Sequence, residues 1–329
     1  MTVKQIPSIF AAAALLAGSS VSMAQNADVA RTGGNTGVAA GVTLPRANVY
    51  ALTSDNAIYV LRPGSGQYTR LGRVNTPDGG NLIGIDFRPA DLTPNKLYGL
   101  TDLGTIYNID VSSSRFGQIS RVSTMNPRFT GGFGNVTDFN PVVNALRVMG
   151  SNDQNIAVVN GADGANLSTA VAQTKFQYAA GDVNAGKDPE ITGGAYTNNF
   201  VGAANTIFYM IDADTDTLVT IADKTATGSS NTGGGQLQTI GQFFDEQGNR
   251  LNMSPTSDLD IYTDRSGINF LVGQTTRLLF SIDLSQINPN LPLGRTQRVV
   301  VKRGPPAALP GSNAPLTGGV FDIAIPPAQ

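Results

Sequence analysis

Five short runs decide the fold: Ala57-Ile58-Tyr59-Val60-Leu61, Thr105-Ile106-Tyr107-Asn108-Ile109-Asp110, Asn155-Ile156-Ala157-Val158-Val159-Asn160, Ile207-Phe208-Tyr209-Met210-Ile211-Asp212 and Leu278-Leu279-Phe280-Ser281-Ile282-Asp283. Each is apolar, β-branched or aromatic and ends in a polar residue, the signature of a short buried strand. Each runs into a polar turn, for example Pro63-Gly64-Ser65-Gly66, Gly161-Ala162-Asp163-Gly164 or Ala213-Asp214-Thr215-Asp216, and then a second strand (Tyr68–Val74, Gly117–Val122, Ala165–Val171, Thr217–Ala222, Thr296–Val301). The first four recur about every 50 residues, and the fifth follows a longer insertion.

A second repeat is interleaved with the first: Leu82-Ile83-Gly84-Ile85-Asp86-Phe87, Asn135-Val136-Thr137-Asp138-Phe139, Thr192-Gly193-Gly194-Ala195-Tyr196, Ser257-Asp258-Leu259-Asp260-Ile261 and Gly318-Gly319-Val320-Phe321-Asp322-Ile323. Further strands follow, such as Lys96–Leu100, Ala145–Met149 and Ile268–Val272. Four strands per repeat of this length predict an all-β β-propeller. The first hairpin, Val49–Val74, lacks an inner strand, and the last inner strand, Val320–Ile325, lacks a hairpin. The two halves complete one another, so a five-bladed propeller closed by pairing of C-terminal and N-terminal strands is expected, with no open edge. Six blades is the alternative, if Phe176–Asp188 or Thr225–Met253 hides one; a plain β-sandwich leaves the complementary halves unexplained.

Upstream, Lys4 is the only charge in the first 27 residues, and an apolar stretch from Ile6 to Gly18 leads to Ser22-Met23-Ala24. This is the layout of a signal peptide, and the run is short of the ~20 residues of a membrane-spanning helix. The expected organisation is a signal peptide over 1–24, a flexible leader over 25–47 and the propeller domain over 48–329, with no membrane span after signal removal. A secreted or periplasmic bacterial location follows.

Composition narrows the chemistry. The 329 residues contain no His and no Cys. That removes Ser-His-Asp and Cys-His nucleophile systems, thiolate and imidazole metal sites, and disulfides. A net charge of -2, a pI near 5.1 and the lack of any Lys/Arg run argue against nucleic acid as a partner. What remains is carboxylate, hydroxyl, amide, Lys, Arg and backbone chemistry, serving a small molecule, a glycan or a protein.

The motifs Leu82-Ile83-Gly84-Ile85-Asp86-Phe87-Arg88-Pro89, Leu97-Tyr98-Gly99-Leu100, Thr137-Asp138-Phe139-Asn140-Pro141, Leu146-Arg147-Val148, Gln154-Asn155-Ile156, Ala179-Ala180-Gly181-Asp182-Val183-Asn184-Ala185-Gly186 and Ala195-Tyr196-Thr197-Asn198-Asn199 fall in an order that resembles a bacterial exported family, domain of unknown function 4394. The resemblance covers most of Asn48 to Ile325. It implies a secreted, propeller-like domain and brings no assigned reaction.

Three groups of residues are candidates for function. Asp86, Asp138, Asp260 and Asp322, with Ala195 in the equivalent fourth place, would ring the central channel. There they either hold a hard cation such as Ca²⁺, the one cofactor the pattern allows for, or lock neighbouring blades through hydrogen bonds. Arg88 and Arg147 either pair with Asp86 and Asp138 or face an acidic ligand. The polar loop containing Asp182, Asn184, Lys187 and Asp188, together with Tyr196, Asn198 and Asn199, is either a ligand site suited to a sugar or peptide or a solvated connection. Asp212-Ala213-Asp214-Thr215-Asp216 has the D-x-D-x-D spacing of a calcium loop and Asp223 at the twelfth place, but Thr217 stands where such a loop needs Gly, so a hairpin turn is expected. No catalytic residue is assigned: only Glu190 and Glu246 supply Glu, neither on an inner strand. The favoured role is an exported, non-catalytic binding module. The alternatives are a carboxylate-dependent glycan hydrolase, or a cell-surface or matrix assembly component using the Pro-rich Gly304–Pro315 segment.

Overall fold

The computed structural model describes residues 42–160, 167–224, 230, 234–275, 278–306 and 319–328. The expected signal peptide, most of the leader, the Gly161–Gly164 turn and most of the Pro-rich segment lie outside the described residues.

The described chain is all β apart from one short 3-10 turn at Leu284–Gln286. Its strands are β1 (Val49–Thr53), β2 (Ala57–Leu61) and β3 (Tyr68–Arg73); β4 (Leu82–Asp86), β5 (Lys96–Thr101), β6 (Thr105–Asp110) and β7 (Ile119–Thr124); β8 (Asn135–Asn140), β9 (Ala145–Gly150), β10 (Asn155–Asn160) and β11 (Leu167–Ala172). There follow β12 (Gln177–Tyr178); β13 (Ile191–Tyr196), β14 (Phe208–Asp212), β15 (Thr217–Ile221) and β16 (Gln236–Phe244); β17 (Asp258–Thr263), β18 (Asn269–Gln274), β19 (Leu278–Ile282) and β20 (Val299–Pro306); and finally β21 (Val320–Ala324).

Three antiparallel sheets have four strands each, in the orders β21-β1-β2-β3, β4-β5-β6-β7 and β8-β9-β10-β11. The remaining sheet runs β13-β14-β15-β16-β20-β19-β18-β17, with β12 beside β16. Its two antiparallel halves are joined by a short parallel pairing, Phe243 with Val299 and Phe244 with Val300. β21 pairs with β1 in antiparallel register, Tyr50 opposite Ala324 and Leu52 opposite Asp322, so the two chain ends close a sheet. The first strands pack in succession, β4 on β8, β8 on β13, β13 on β17, β17 on β21 and β21 on β4.

Strands such as Val49–Thr53, Ala57–Leu61 and Leu82–Asp86 are buried on both faces because sheets flank them on either side, which is why they read as unbroken apolar runs. Five apolar clusters fill the spaces between neighbouring sheets. Tyr50, Leu52 and Ile58 meet Leu82, Ile85 and Tyr107 in one; Val136 and Met149 meet Ile191 and Phe208 in another. Outer strands β3, β7 and β11 are exposed or half-buried along most of their length.

Two expectations are corrected. The run Ile207–Asp212 does not align with Ala57–Leu61: β14 is the second strand of its sheet, β15 the third, and the fourth is β16. The reading slipped by one strand because β14 and β15 are equally apolar and buried. Consequently Thr225–Met253 contains the outer strand of the fourth repeat, and Phe176–Asp188 contains only β12. The end of the expected leader is also part of the fold: the Thr43 N–H donates to Ser281 Oγ at 3.0 Å, and Val42, Leu44 and Ala47 pack on the β1–β2 cluster. Among the described residues, no helix is long and apolar enough to cross a membrane.

Candidate functional site

The first strands of the sheets bring five carboxyl groups to one axis in two tiers. In-sheet register assigns the tiers. Asp86 lies opposite Tyr98, Asp138 opposite Arg147, Ala195 opposite Tyr209, Asp260 opposite Val272 and Ala324 opposite Tyr50; these are equivalent places along the repeat. Two residues earlier come Gly84, Val136, Gly193, Asp258 and Asp322. Asp322 therefore does not share a tier with Asp86, Asp138 and Asp260, as the repeat of inner-strand aspartates had implied; Ala324 stands there instead. Asp258, which the motif comparison passed over, is its companion. The alternation Asp258-Leu259-Asp260 was the available signal, since a strand turns residues two apart to the same face.

The upper tier holds Asp86, Asp138 and Asp260, each contributing a carboxylate oxygen such that the three lie within 4.8 Å of one another. All five aspartates are buried. Their oxygens accept backbone N–H bonds from the neighbouring first strand: Asp86 from Phe139 (2.7 Å), Asp138 from Tyr196 (3.2 Å), Asp260 from Ile325 (2.5 Å), Asp258 from Ile323 (3.0 Å) and Asp322 from Ile85 (2.8 Å). Asp86 and Asp260 also bind the N–H of their own next residues, Phe87 and Ile261. These are latches between sheets. Where Ala195 leaves none, the Asn199 N–H donates to Thr263 Oγ1 at 2.8 Å and joins the sheet of β13 to that of β17.

Burial is the main cause that raises every one of these carboxyls above the ordinary aspartate range. Asp258 and Asp260 are pushed up to about 7. Asp86 and Asp138 are raised well above 3.8, first by burial and then by like charges, those of Asp260 and Asp258 on Asp86 and those of Asp86, Asp260 and Asp258 on Asp138. Asp258 and Asp322 share a hydrogen bond, so a proton between them relieves their repulsion. The ion pairs of the described residues, Lys96–Asp91, Arg115–Asp110, Lys175 with Asp153 and Asp188, and Arg303–Asp245, all lie elsewhere. Chemically, the upper tier offers hard oxygen ligands to a cation, and Asp86, Asp138 and Asp260 would hold it.

Arg88 does not pair with Asp86. Its Nε donates to Asn144 Oδ1 at 2.8 Å and a terminal nitrogen to Asn160 Oδ1 at 2.6 Å, while the guanidinium lies 6.0 Å from the Phe139 ring centre. Arg147 donates to Asn155 Oδ1 at 2.6 Å. Asn side chains, neutral and short, accept from both of these buried guanidiniums.

Asp182 and Asn184 are buried, not presented to solvent. Asp182 accepts from Thr239 N (2.8 Å), Thr239 Oγ1 (2.7 Å) and Asn184 N (2.9 Å), and Asn184 Nδ2 donates to Thr239 Oγ1 (3.0 Å). They pin their loop to β16. Tyr196 is buried and stacked on Phe208 at 4.1 Å. Asn198, with φ of 58°, exchanges bonds with Asn205 and Asn269. Lys187 and Asp188 are exposed. Asp212 folds back on its own turn, accepting from the N–H groups of Asp214 and Thr215, and also receives the Tyr178 hydroxyl; Asp216 accepts from Met253 N at 2.7 Å. That loop behaves as a turn.

A family profile described as "Domain of unknown function (DUF4394)" matches residues 77–288. No curated protein sequence matches the chain. Among solved structures, a protein of unknown function from Bacteroides thetaiotaomicron is 14% identical with a TM-score of 0.42, over 70% of this chain and 54% of that one. A structure of YCF48 bound to D1 peptide is 10% identical with a TM-score of 0.35, over 84% of this chain and 94% of that one. The chain thus spans about half the length of the Bacteroides protein.

Proposed function

We propose that this chain, which belongs to the DUF4394 family, is an exported, non-catalytic five-bladed propeller that serves as a binding module and carries a hard divalent cation of the Ca²⁺ class on its axis. Five blades are supported by the succession of first strands β4, β8, β13, β17 and β21, each heading four strands if the short β16–β20 pairing is taken as a bridge between two blades. Export is supported by the Ile6–Gly18 apolar run and Ser22-Met23-Ala24. A binding role in preference to hydrolysis is supported by the packing of the carboxyls against each other and against amides. A glycosidase pair would instead stand ~5–9.5 Å apart across a substrate.

The observation that carries the cation is the convergence of three buried carboxylate oxygens within 4.8 Å, with the ion pairs of the described residues lying elsewhere. Amide latches satisfy part of each carboxylate but bring no positive charge. A Ca²⁺ ion takes ~6–8 oxygens, so the triad would supply half its shell or less, with carbonyls and water completing it.

Thermal melts at about pH 8, in millimolar Ca²⁺ and in chelator, test the reading. Saturation to ~100 times Kd should add roughly 2.7 kcal/mol, several degrees in Tm, and Asp138→Asn should abolish most of the difference. Identical melting of the unaltered chain with and without Ca²⁺ would remove the cation and leave the aspartates as latches alone.

A further inference from the structure

The first strands run parallel to one another, and this decides which loops share an end of the molecule. Asp258 and Asp260 of β17 bind Ile323 and Ile325, two steps in the same direction. Asn135 donates to the Ile83 carbonyl and Asp86 accepts from Phe139, which sets β8 parallel to β4. Gly193 abuts Asp258 and Asn199 binds Thr263, which does the same for β13 and β17. Every second strand is antiparallel to its first, so the connections 87–95, 141–144, 197–207 and 264–268 all leave at one end.

Those four connections carry Leu92, Val142, Val143, Phe200, Val201 and Ile268, between 37% and 61% exposed. They make up half of the exposed large apolar side chains among the described residues; of the others, Leu103, Phe133 and Val183 lie on connections at the opposite end, Val171 and Val300 on outer strands, and Leu293 on the β19–β20 connection. A cluster of this kind marks an interaction face. The connections are also tied together, the first to the second by Arg88 and Asn144 (2.8 Å), the third to the fourth by Asn198 and Asn269 (2.8 Å). The tips are therefore presented on a braced platform.

The four connections taken by themselves carry almost no net charge. Residues 141–144 and 197–207 contain no Asp, Glu, Lys or Arg; 87–95 contain Arg88 and Asp91, and 264–268 contain Asp264 and Arg265. Asp91 is paired with Lys96 at 2.6 Å. A polyanion or strongly charged peptide would find little that is complementary on these four tips. The apolar side chains also stand on separate loop tips, whereas the pocket lined by Asp216, Phe243, Arg250 and Asn252 belongs to connections at the opposite end. A protein anchor needs a fitted pocket, but a bilayer interface moulds itself to projecting side chains.

We propose that this end docks onto an electrically neutral lipid bilayer, with Leu92, Val142, Val143, Phe200, Val201 and Ile268 entering the headgroup region and the propeller axis standing on the membrane. The axial carboxyls take no part, so loss of the cation reading leaves this one intact.

Co-sedimentation with phosphatidylcholine vesicles tests it, using residues Asn35–Gln329, which contain every described strand and core cluster and omit the apolar Ile6–Gly18 run. The chain should sediment with the vesicles. The combined change Leu92→Ser, Val143→Ser, Val201→Ser and Ile268→Ser should weaken binding roughly tenfold or more at unchanged melting temperature, since each buried methylene counts in membrane affinity. Single Leu92→Lys and Val201→Lys changes, on separate loops, should each weaken it and serve if the combined variant does not fold. Three results would overturn the proposal: no co-sedimentation of the unaltered chain, equal binding by the variants, or binding only to anionic phosphatidylglycerol vesicles. A dimer by light scattering that the same substitutions dissociate would assign the face to a second copy instead.

Discussion

Raising the pH from about 5 to about 8 in the presence of chelator should weaken the fold, the reverse of what paired surface aspartates produce. Asp258 and Asp260 are pushed up to about 7 by burial, against 3.8 in the unfolded chain. Below the unfolded value both states hold these protons. Above it the unfolded chain releases them while the folded chain keeps them, so stability is lost as pH rises and the loss is complete only beyond the folded value. At ~1.4 kcal/mol per tenfold in proton affinity, each of the two carboxyls costs the fold about 4 kcal/mol once ionised. For a chain of this size ~2–4 °C per kcal/mol translates into a fall of roughly 10 °C or more. Asp86, Asp138 and Asp322 are raised as well, chiefly by burial, and add to the decline. At the acid end the sign turns. Asp91, whose burial is outweighed by hydrogen bonds from Lys96 and Tyr98, sits below the ordinary range and gives up its stabilisation as the pH falls beneath the unfolded value. The stability maximum should therefore fall near pH 4–6. Urea titrations at fixed temperature across this range give the free energy directly. Asp260→Asn removes one of the five raised carboxyls and should make the slope shallower. A stability that is flat or rising between about pH 5 and 8 in chelator would refute a dry, uncompensated axis.

Gly84→Ala places a Cβ 2.1 Å from Thr137 Oγ1 and 3.0 Å from Asp322 Oδ2, so it should wedge β4 away from β8 and cost ~1–3 kcal/mol in urea melts, while Gly132→Ala, which meets nothing within 4 Å, should change stability by less than ~0.5 kcal/mol. Equal effects of the two would contradict the close approach of the first strands. Asp182→Ala strands the buried Thr239 N–H and should cost ~1–3 kcal/mol, with faster amide exchange at Gln177–Tyr178 and along β16; unchanged exchange there would show that the loop is not pinned by this side chain.

Much of this architecture was legible in the residues, for a definite reason. Strands buried on both faces must be apolar throughout, so Val49–Leu52, Ala57–Leu61 and Leu97–Leu100 announced themselves, and the complementary end segments predicted the pairing of β21 with β1. The frame of the fourth repeat was not legible, because β13, β14 and β15 are three consecutive buried strands with no polar marker to distinguish second from third. The axial carboxyls were found by repetition, but their tiers were not: a shift of two residues keeps every side chain on its face, so Asp322 and Asp86 look equivalent until the Tyr50–Ala324 pairing fixes the register. Arg88 and Arg147 misled for a related reason. Adjacency to an Asp motif says nothing about the Asn residues that neighbouring strands bring closer.

The two tiers turn the axis into a competition for the same oxygens. An ionised carboxylate offers about four lone-pair sites, and the latches from Phe139, Tyr196, Ile325, Ile323 and Ile85 occupy one or two on each residue. Those donors are neutral dipoles, so they orient the carboxyls without cancelling their mutual repulsion. The nearby guanidiniums bond Asn side chains, Arg88 to Asn144 and Asn160, and Arg147 to Asn155. Compensation must then come from protons or from a mobile cation, and each excludes the other because a metal binds the deprotonated oxygens. Calcium stabilisation should accordingly be largest at about pH 8 and fade as Asp260 protonates near 7, just where the chelated protein regains its stability. The chelated and calcium-loaded curves should converge below about pH 6. If they instead stay separated by a constant amount through that range, the ion sits on oxygens other than Asp86, Asp138 and Asp260.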